Sequence, residues 1–361
     1  MRCNLPVYAC EFAGTALMLF WGVSAVAFMW GAGSPIPAIE NAALRRLVTG
    51  LLFAGGATAI VYSPLGQRSG GHINPAVTLA LWRLGNVPGR DVPWYLAAQF
   101  AGAFAGTAAA AWLWGDLARS VHLAATVPGE GWTWIGALVA EAASTFALVF
   151  LIFVCVNKPA VAGRTGFIAG SFVAFLVMIE APVSGTSVNP ARSLAPAFLA
   201  PEYRDLWIYF VGPIAGALLA VAAYRGRWGS RTVCAKLYHT AAYPCPFPSC
   251  GYRLAKAGEV VMREGEAGDE AYLVARGELA VTRAGVPLAR LTAGDWVGEM
   301  SLLLDEPRSA TVTATSEAQL RRVNRDSFGR VLAEDPVRTQ ELLRQLARRV
   351  REASGRLAGE A

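Results

Sequence analysis

Two short segments of the sequence begin with the same three residues. The first triplet is Asn74, Pro75 and Ala76, and the second is Asn189, Pro190 and Ala191. Asparagine is a preferred helix N-cap, and proline suits the first helical position because its missing N–H needs no intrahelical partner there. The apolar run after each triplet lasts about ten residues, roughly half of what a membrane-spanning helix needs. Each triplet therefore predicts a short helix that enters a membrane without crossing it.

The chemistry of these helix starts depends on whether they meet. If they face each other at the middle of a membrane, their positive dipole ends and the spare side-chain N–H groups of Asn74 and Asn189 point into one passage. A water molecule that presents its oxygen to both amides cannot continue a proton-relaying chain, and cations meet a positive field. A single triplet would indicate only an N-cap, but two in matching repeat positions predict a pore for small neutral molecules.

The first part of the chain has the composition of a membrane protein. The 361 residues are 54% hydrophobic, and only 13 of the 32 Lys and Arg residues and 9 of the 26 Asp and Glu residues lie in residues 1–230. The remaining charged residues lie in 231–361, which indicates a second, water-exposed part, and no basic patch predicts nucleic-acid binding. Six apolar segments have about the length of a membrane span. They are residues 7–30, 45–63, 92–114, 133–156, 166–183 and 206–224.

The first three spans resemble the second three. Each set opens with a glutamate inside an apolar helix, Glu11 or Glu141, and carries its triplet after the second span. Because each half crosses the membrane three times, an odd number, the two halves have opposite orientations in the membrane. Ten basic residues fall on one side and five on the other, which predicts that both termini are cytoplasmic.

Residues 1–226 resemble an aquaporin of the major intrinsic protein family. The resemblance rests on "GGHINPAVTLA", "TSVNPARSLAPAF", the two glutamates, "AAQFAGAFAG" and "VGPIAGA". It implies a membrane all-α fold with six transmembrane helices plus two re-entrant half-helices in an inverted repeat. It also implies a homotetramer with one pore per subunit in the lipid bilayer of the cell (plasma or inner) membrane. Neither half of the sequence presents a nucleophile with a base or a metal cluster, so we do not expect an enzyme.

In this family, an arginine and three partners form a constriction beside the triplets. By position, the resemblance implies Arg192, Thr186, Val177 and Ala54 for this filter, although Phe53 is adjacent to Ala54 and a slip of one residue would restore the aromatic residue typical there. Val177 stands where water-selective relatives usually have histidine. The set implies a wider and less polar opening than that of strict water channels.

Other markers favour water. Ser193 follows the filter arginine where glycerol facilitators usually carry aspartate, and Ala197 also matches the water type. We therefore expect a water channel that tolerates some small neutral solutes and excludes protons and ions. Glu180 lies one turn beyond Val177, and we expect a solvated carboxylate near the helix end, with pairing to Arg192 as the alternative.

Residues 251–361 predict a compact soluble domain. Short apolar runs separated by glycines predict a β-roll. Tyr272 and Val274, then Leu279 and Val281, alternate with polar neighbours, which predicts strands with one buried and one exposed face. A helix with Leu342, Leu343, Leu346 and Val350 at helical spacing follows. Residues 298–312 combine a glycine, a short helix and an arginine in the segment "GEMSLLLDEPRSATV". These are the groups that bind an anion through backbone N–H donors and a guanidinium.

This segment resembles the phosphate-binding cassette of a cyclic nucleotide-binding domain. The resemblance implies a site formed by Gly298, Glu299, Met300, Ser301, Arg308, Ser309 and Ala310. In it, Glu299 accepts from the ribose hydroxyl, Arg308 pairs with the cyclic phosphate, and Ser309 and Ala310 complete the cradle. The last helix would cover the base through Leu346, Arg348 or Arg349. We favour cyclic AMP over cyclic GMP as the ligand, with no cofactor required.

Residues 227–250 are interpreted as a linker between the two domains. His239, Cys245 and Cys250 lie in it, but the spacing of "CPFPSC" is not that of a zinc knuckle and no fourth ligand is obvious, so we predict no metal site. The leading hypothesis is a channel regulated by cyclic nucleotide. The alternative is a constitutive glycerol or small-solute facilitator whose nucleotide-binding domain serves assembly or localisation.

Overall fold

The computed structural model describes residues 4–228, 234–240, 242–243, 245–247, 250–325, 328–329, 332 and 336–359. The chain divides into two compact units, Met1–Cys250 and Gly251–Ala361. Described residues of the predicted linker, from Cys234 to Cys250, thus belong to the first unit, whereas residues 229–233 and four others of that linker lie outside the described part.

Among the described residues of the first unit, six helices are long and apolar enough to cross a membrane. They are α1 (Leu5–Trp30), α2 (Ala42–Tyr62), α5 (Val92–Trp114), α7 (Trp134–Asn157), α9 (Thr165–Ser184) and α11 (Ile208–Trp228). Their bounds agree with the predicted spans to within four residues, because apolar length alone specifies a span.

Shorter helices lie between the spans. They are α3 (Pro64–Ser69), α4 (Pro75–Arg83), α6 (Asp116–Arg119), α8 (Pro159–Ala162) and α10 (Pro190–Leu199), with a 3₁₀ turn at His122–Ala124. Of these, α4 and α10 are the two helices that the Asn-Pro-Ala triplets predict. Both are too short to cross a bilayer core of about 30 Å.

Glycines set the close packing of equivalent helix pairs in the two halves. A Cβ atom at Gly106 of α5 would lie 2.0 Å from the Ala16 carbonyl oxygen of α1. In the other half, a Cβ atom at Gly216 of α11 would lie 2.1 Å from the Ala142 carbonyl oxygen of α7. Small residues let membrane helices approach this closely, and dispersion contacts between the backbones then hold them together.

The described part of the second unit contains two four-stranded antiparallel sheets. Its strands are β1 (Tyr252–Ala255), β2 (Val260–Met262), β3 (Glu270–Arg276), β4 (Leu279–Arg283), β5 (Val286–Leu291), β6 (Trp296–Val297), β7 (Thr311–Ala314) and β8 (Ala318–Asn324). The sheet orders are β1-β8-β3-β6 and β2-β7-β4-β5. In the first sheet Tyr272 pairs with Arg322, and in the second Val281 pairs with Val312. The predicted β-roll is confirmed.

Among the residues of this unit that the structure describes, two helices accompany the β-roll, α12 (Glu299–Leu304) and α13 (Pro336–Gly359). Tyr272 and Val274 of β3 point into the core between the sheets, as predicted. The prediction of a half-exposed strand is wrong, because Leu273 is buried on the opposite face with Trp296 and Leu342. Of the four apolar residues at helical spacing in α13, Leu342 is buried, whereas Leu343 and Val350 are mainly exposed.

Candidate pore and nucleotide pocket

Both triplets form helix N-caps. The Asn74 side-chain oxygen accepts a hydrogen bond from the Ala76 N–H at 2.9 Å, where α4 begins. The Asn189 oxygen accepts from the Ala191 N–H at 3.1 Å, where α10 begins. Each cap satisfies a backbone donor that would otherwise lack a partner at the start of the helix.

The two caps also bind each other's loops. The Asn74 side-chain nitrogen donates to the Val188 carbonyl at 2.8 Å, and the Asn189 nitrogen donates to the Ile73 carbonyl at 2.9 Å. The helix starts therefore meet, as the repeat predicts. Each carboxamide has two N–H groups, and one carbonyl uses only one of them, so a second N–H on each asparagine remains to face the cavity.

An unusual backbone conformation turns these carbonyls toward the opposite asparagine. Ile73 has a φ of 44° and Val188 a φ of 46°. Positive φ is strained for a β-branched residue and is retained only where the surroundings enforce it. Glu11 accepts the Ile73 N–H, and Glu141 accepts the Val188 N–H at 2.8 Å. Both glutamates are fully buried, so they brace the strained loops from inside the bundle.

A cavity of about 430 Å³ runs past both asparagines. Its wall includes Trp30 and Arg46, from the end of α1 and the start of α2, and His72 and Leu237, from beyond the opposite end of α2. The cavity therefore passes along the spans from one end to the other. Most of its wall is apolar, from side chains such as Val77, Leu148, Ile152, Val173 and Val177.

The predicted filter residues line this cavity. Arg192, Thr186, Val177 and Ala54 all belong to its wall. Arg192 is only 8% exposed, and its Nη1 donates to the Ala124 carbonyl at 2.6 Å. The aromatic neighbour Phe53 also lines the cavity, with the Arg192 guanidinium carbon 5.5 Å from its ring centroid. It is thus Phe53 that places a ring against the arginine, while Ala54 contributes a small, buried surface.

The expectation of a solvated Glu180 is wrong. Its side chain is only 6% exposed, and its carboxylate accepts a hydrogen bond from Ser184. The same serine hydroxyl also lies 2.6 Å from Glu141. Glu180 thus belongs to the buried polar groups, with Ser184 and Glu141, that support the loop of the second triplet. Sequence reasoning missed this because a carboxylate near the end of an apolar helix usually reaches water.

The second unit contains a cavity of about 400 Å³. All seven residues of the predicted nucleotide site line it, namely Gly298, Glu299, Met300, Ser301, Arg308, Ser309 and Ala310. Apolar side chains outside the predicted nucleotide site cover its other walls. They include Met262, Val281, Leu288, Val297 and Val350.

Backbone carbonyls hold Arg308 in this cavity. Its Nη1 donates to the Gly298 carbonyl at 2.9 Å, and its Nη2 donates to the Glu270 carbonyl at 2.7 Å. Gly298 has a φ of 79°, and a Cβ atom there would lie 2.6 Å from Arg308, so glycine is required on both counts. Guanidinium has five N–H donors, which leaves donors for a ligand.

Glu299, the residue after Gly298, also lines this cavity and is 1% exposed. Its Oε1 pairs with Nη1 of Arg349 at 2.5 Å, whereas its Oε2 has no hydrogen-bond partner among the described residues. Burial raises the pKa of Glu299, and the positive charge of Arg349 opposes that shift. Of the residues predicted to cover a base, Leu346 and Arg349 line the cavity.

Two short helices that meet end to end inside a six-helix bundle, beside a continuous passage, define a membrane channel. The family model of the major intrinsic proteins matches residues 4–224, and that of the cyclic nucleotide-binding domain matches residues 252–335. The chain belongs to the major intrinsic protein family. It is a multi-pass membrane channel, not an enzyme, that carries a cyclic nucleotide-binding domain.

Individual relatives agree with this assignment. The chain is 35% identical to Aquaporin NIP1-1 of Oryza sativa over 215 residues, an alignment that covers 59% of this chain and 71% of the relative. It is 36% identical to the Probable aquaporin AqpM of Archaeoglobus fulgidus, over 60% of this chain and 94% of the relative. The aquaglyceroporin of Plasmodium falciparum has a TM-score of 0.53 at 21% identity, over 65% of this chain and 99% of its own, which shows a shared fold.

Proposed function

We propose that the channel conducts water and small neutral solutes and excludes protons and ions. The observation that carries this proposal is the reciprocal pair of hydrogen bonds between Asn74 and the Val188 carbonyl and between Asn189 and the Ile73 carbonyl. It leaves one N–H on each asparagine for a passing oxygen, at the positive ends of two helices. A water molecule oriented in this way cannot relay a proton along the file, and the positive field repels cations.

The filter determines which neutral molecules pass. Its wall is formed by Arg192, Phe53, Ala54, Val177 and Thr186. Arg192 supplies the donors and excludes cations by its charge, while Phe53 and Val177 supply apolar walls. Val177 cannot donate a hydrogen bond, so water gains no second strong partner here and a solute with carbon atoms meets a compatible surface.

We further propose that cyclic nucleotide binding in the second unit regulates the channel. The unpartnered Glu299 Oε2 is available to a ribose hydroxyl, and the remaining Arg308 donors are available to the cyclic phosphate. Ser309 and Ala310 complete the phosphate contacts, and Leu346 and Arg349 cover the base. Cyclic AMP is the favoured ligand. Ligand binding shifts a channel equilibrium only to the extent that the open and closed states bind it differently.

In this proposal the protein is a homotetramer of the cell (plasma or inner) membrane with both termini in the cytoplasm. The nucleotide pocket then faces the compartment in which cyclic nucleotides occur. Each subunit carries its own passage, because both asparagines come from a single chain.

Stopped-flow light scattering on proteoliposomes tests the proposal. Osmotic gradients of sucrose and of glycerol are applied with no nucleotide, with cyclic AMP and with cyclic GMP, for the wild type and the Arg308→Ala variant. We expect faster shrinkage than in empty vesicles and a nucleotide effect that Arg308→Ala removes. Arg276→Ala, an exposed arginine outside the pocket, is the matched control. Shrinkage equal to that of empty vesicles under every condition contradicts the channel proposal.

A second candidate is a constitutive facilitator of glycerol or a similar small solute. The observation that favours it is the largely apolar cavity wall, with Val177 at the filter. In that case glycerol flux exceeds the vesicle background and no nucleotide changes it. The nucleotide-binding domain would then act in assembly or localisation.

A further inference from the structure

Four side chains with metal-binding atoms converge in the segment that follows α11. They are Cys234, His239, Cys245 and Cys250, and their ligand atoms all lie within 4.8 Å of one another. The Cys234 sulfur is 2.9 Å from His239 Nε2, 3.2 Å from the Cys250 sulfur and 3.9 Å from the Cys245 sulfur. All three cysteines carry free thiols. The sequence interpretation considered only the last three of these residues.

This arrangement has the dimensions of a tetrahedral site. With Zn–S bonds of about 2.3 Å and a Zn–N bond of about 2.0–2.1 Å, tetrahedral ligands lie about 3.5–3.8 Å apart. The measured separations of 2.9, 3.2, 3.3 and 3.9 Å bracket that value. Three sulfurs and one imidazole form a soft ligand set that selects Zn²⁺ over Mg²⁺ or Ca²⁺. A Cys₃His set with no remaining position is typical of a structural zinc site.

The surroundings match the charge of such a site. Three thiolates around Zn²⁺ carry one net negative charge. Lys236 is fully buried beside them, its Nζ donates to the Tyr243 carbonyl at 2.6 Å, and its backbone N–H donates to the Cys234 sulfur at 3.4 Å. A buried ammonium group is costly without a nearby negative charge. A hydrogen bond to a ligating sulfur stabilises its thiolate form.

We propose that Cys234, His239, Cys245 and Cys250 bind one Zn²⁺ ion, which folds this segment into a cap over one end of the pore. The segment is far too short to form a hydrophobic core of its own, and small folds of this size usually need a metal or disulfides. Among its described residues, the isolated bridge between Thr240 and Tyr243 is the only β pairing. A metal ion therefore supplies the missing constraint.

The capped end of the pore is the one beside the first triplet. His72 Nε2 is 2.8 Å from the Ala235 carbonyl, and the Leu237 N–H donates to the Gly70 carbonyl at 3.0 Å. The Phe247 ring stacks on the His72 ring with centroids 5.4 Å apart and planes 4° apart. Leu237 lies in the wall of the same cavity as Asn74.

The consequence for transport, which rests on the proposed channel function, is reduced flux while the metal is bound. The ligands hold both ends of the segment, Cys234 on one side of Leu237 and Cys250 just beyond Phe247. Loss of the metal frees these two side chains from the pore end. The cap then loosens and the passage widens.

Metal analysis of the purified full-length protein tests the site directly. We expect about one zinc per chain by mass spectrometry of the metal content, as a single four-ligand site requires. Cobalt exchanged into the protein should show the intense visible and near-ultraviolet bands of tetrahedral thiolate ligation. Cys234→Ser and Cys250→Ser should lose both signals, whereas Cys10→Ala, a buried cysteine in α1 outside the cluster, should keep them.

Three results would overturn the metal site. The first is a wild-type protein without zinc that shows no cobalt bands. The second is unchanged metal content in Cys234→Ser. The third is a Cys234–Cys250 disulfide in the protein as isolated, detected by peptide mass spectrometry. Because the cobalt spectrum is recorded on the wild type, poor folding of a serine variant leaves the test intact.

Flux measurements test the cap separately. A membrane-permeant zinc chelator should raise wild-type water flux at least twofold and leave Cys250→Ser unaffected. Leu237→Ala should raise flux while keeping the zinc. If the protein binds zinc but neither the chelator nor Leu237→Ala changes the flux, the proposed cap is wrong and the metal site is still supported. Zinc binding without flux in any state instead contradicts the proposed channel function.

Discussion

Glu141 accepts two backbone hydrogen bonds, from the Val188 N–H to Oε2 at 2.8 Å and from the Ser187 N–H to Oε1 at 2.7 Å. These bonds fix a β-branched residue at positive φ, and that conformation turns the Val188 carbonyl toward Asn74. A carboxylate in a helix thereby sets the position of an asparagine from the opposite repeat. Glu11 plays the equivalent part for Ile73 in the first repeat.

Glu141→Gln should destabilise the pore loops. The amide nitrogen of glutamine cannot accept a hydrogen bond, so at least one of the buried donors Ser184, Ser187 and Val188 loses its partner. A buried donor without a partner costs about 1–3 kcal/mol. We expect a lower thermal unfolding temperature in detergent and reduced water flux in proteoliposomes. Glu130→Gln, at an exposed loop position, is the matched control and should behave as the wild type. Equal unfolding temperatures for the two variants would contradict the bracing role.

Gly216→Ala should disturb the packing of α11 on α7. The new methyl group would lie 2.1 Å from the Ala142 carbonyl oxygen, which requires the helices to separate. Overpacking of this kind costs about 1–3 kcal/mol. Gly226→Ala, in the same helix with no heavy atom within 4 Å of the added Cβ, is the control and should be neutral or slightly stabilising. Thermal unfolding of both variants in detergent measures the difference, and a stable Gly216→Ala protein would refute this packing argument.

Much of this fold could be predicted from the sequence, because its signals are local. Apolar length specifies the six spans, and an asparagine followed by a proline specifies the start of α10 at Pro190. The repeat predicts that the two starts meet, and the bonds from Asn74 and Asn189 confirm it. In the second unit, Gly298 and Arg308 were recognisable because an anion cradle requires those residue types close together in sequence.

The features that were missed depend on contacts between distant residues. Phe53 and Arg192 are far apart in the sequence and meet only at the wall of the cavity, so counting along the chain could not choose between Phe53 and Ala54. Glu180 is buried beside Ser184, whose hydroxyl lies within hydrogen-bond distance of both Glu180 and Glu141. Cys234 could have been found from the sequence, because four cysteine or histidine residues follow one another at intervals of five or six residues from 234 to 250.

Val177→His should shift the channel toward water. Histidine adds bulk and a hydrogen-bonding ring opposite Arg192, which narrows the filter and favours a molecule that can both donate and accept. We expect glycerol flux to fall several-fold more than water flux in stopped-flow measurements. Val177→Ala is the matched control and should raise glycerol flux, because it enlarges the same wall without adding polarity. A fall of both fluxes by the same factor would indicate general blockage and count against a filter at this position.

Acidification should weaken cyclic nucleotide binding through Glu299. Because burial raises the pKa of this carboxyl above its usual value, Glu299 takes up a proton at a higher pH than an exposed glutamate does. The folded domain then binds this proton more tightly than the unfolded chain. The free energy of unfolding of the domain therefore falls as the pH rises through the raised pKa, because Glu299 is then ionised in a buried position. Acidification reverses this loss of stability. It also removes the charged acceptor for the ribose hydroxyl, so nucleotide binding weakens.

The measurement is nucleotide affinity by titration calorimetry on the full-length protein, from neutral pH down to about 5, where an exposed glutamate with a pKa of about 4.3 is still ionised. Wild-type affinity should fall over this range. Glu299→Gln should bind more weakly at neutral pH, by about tenfold to a hundredfold for the loss of a charged hydrogen bond of about 1.5–3 kcal/mol, and should show little dependence on pH. Glu317→Gln, outside the pocket, is the control. If wild type and Glu299→Gln lose affinity in parallel, the titrating group is another one and Glu299 does not bind the nucleotide as a carboxylate.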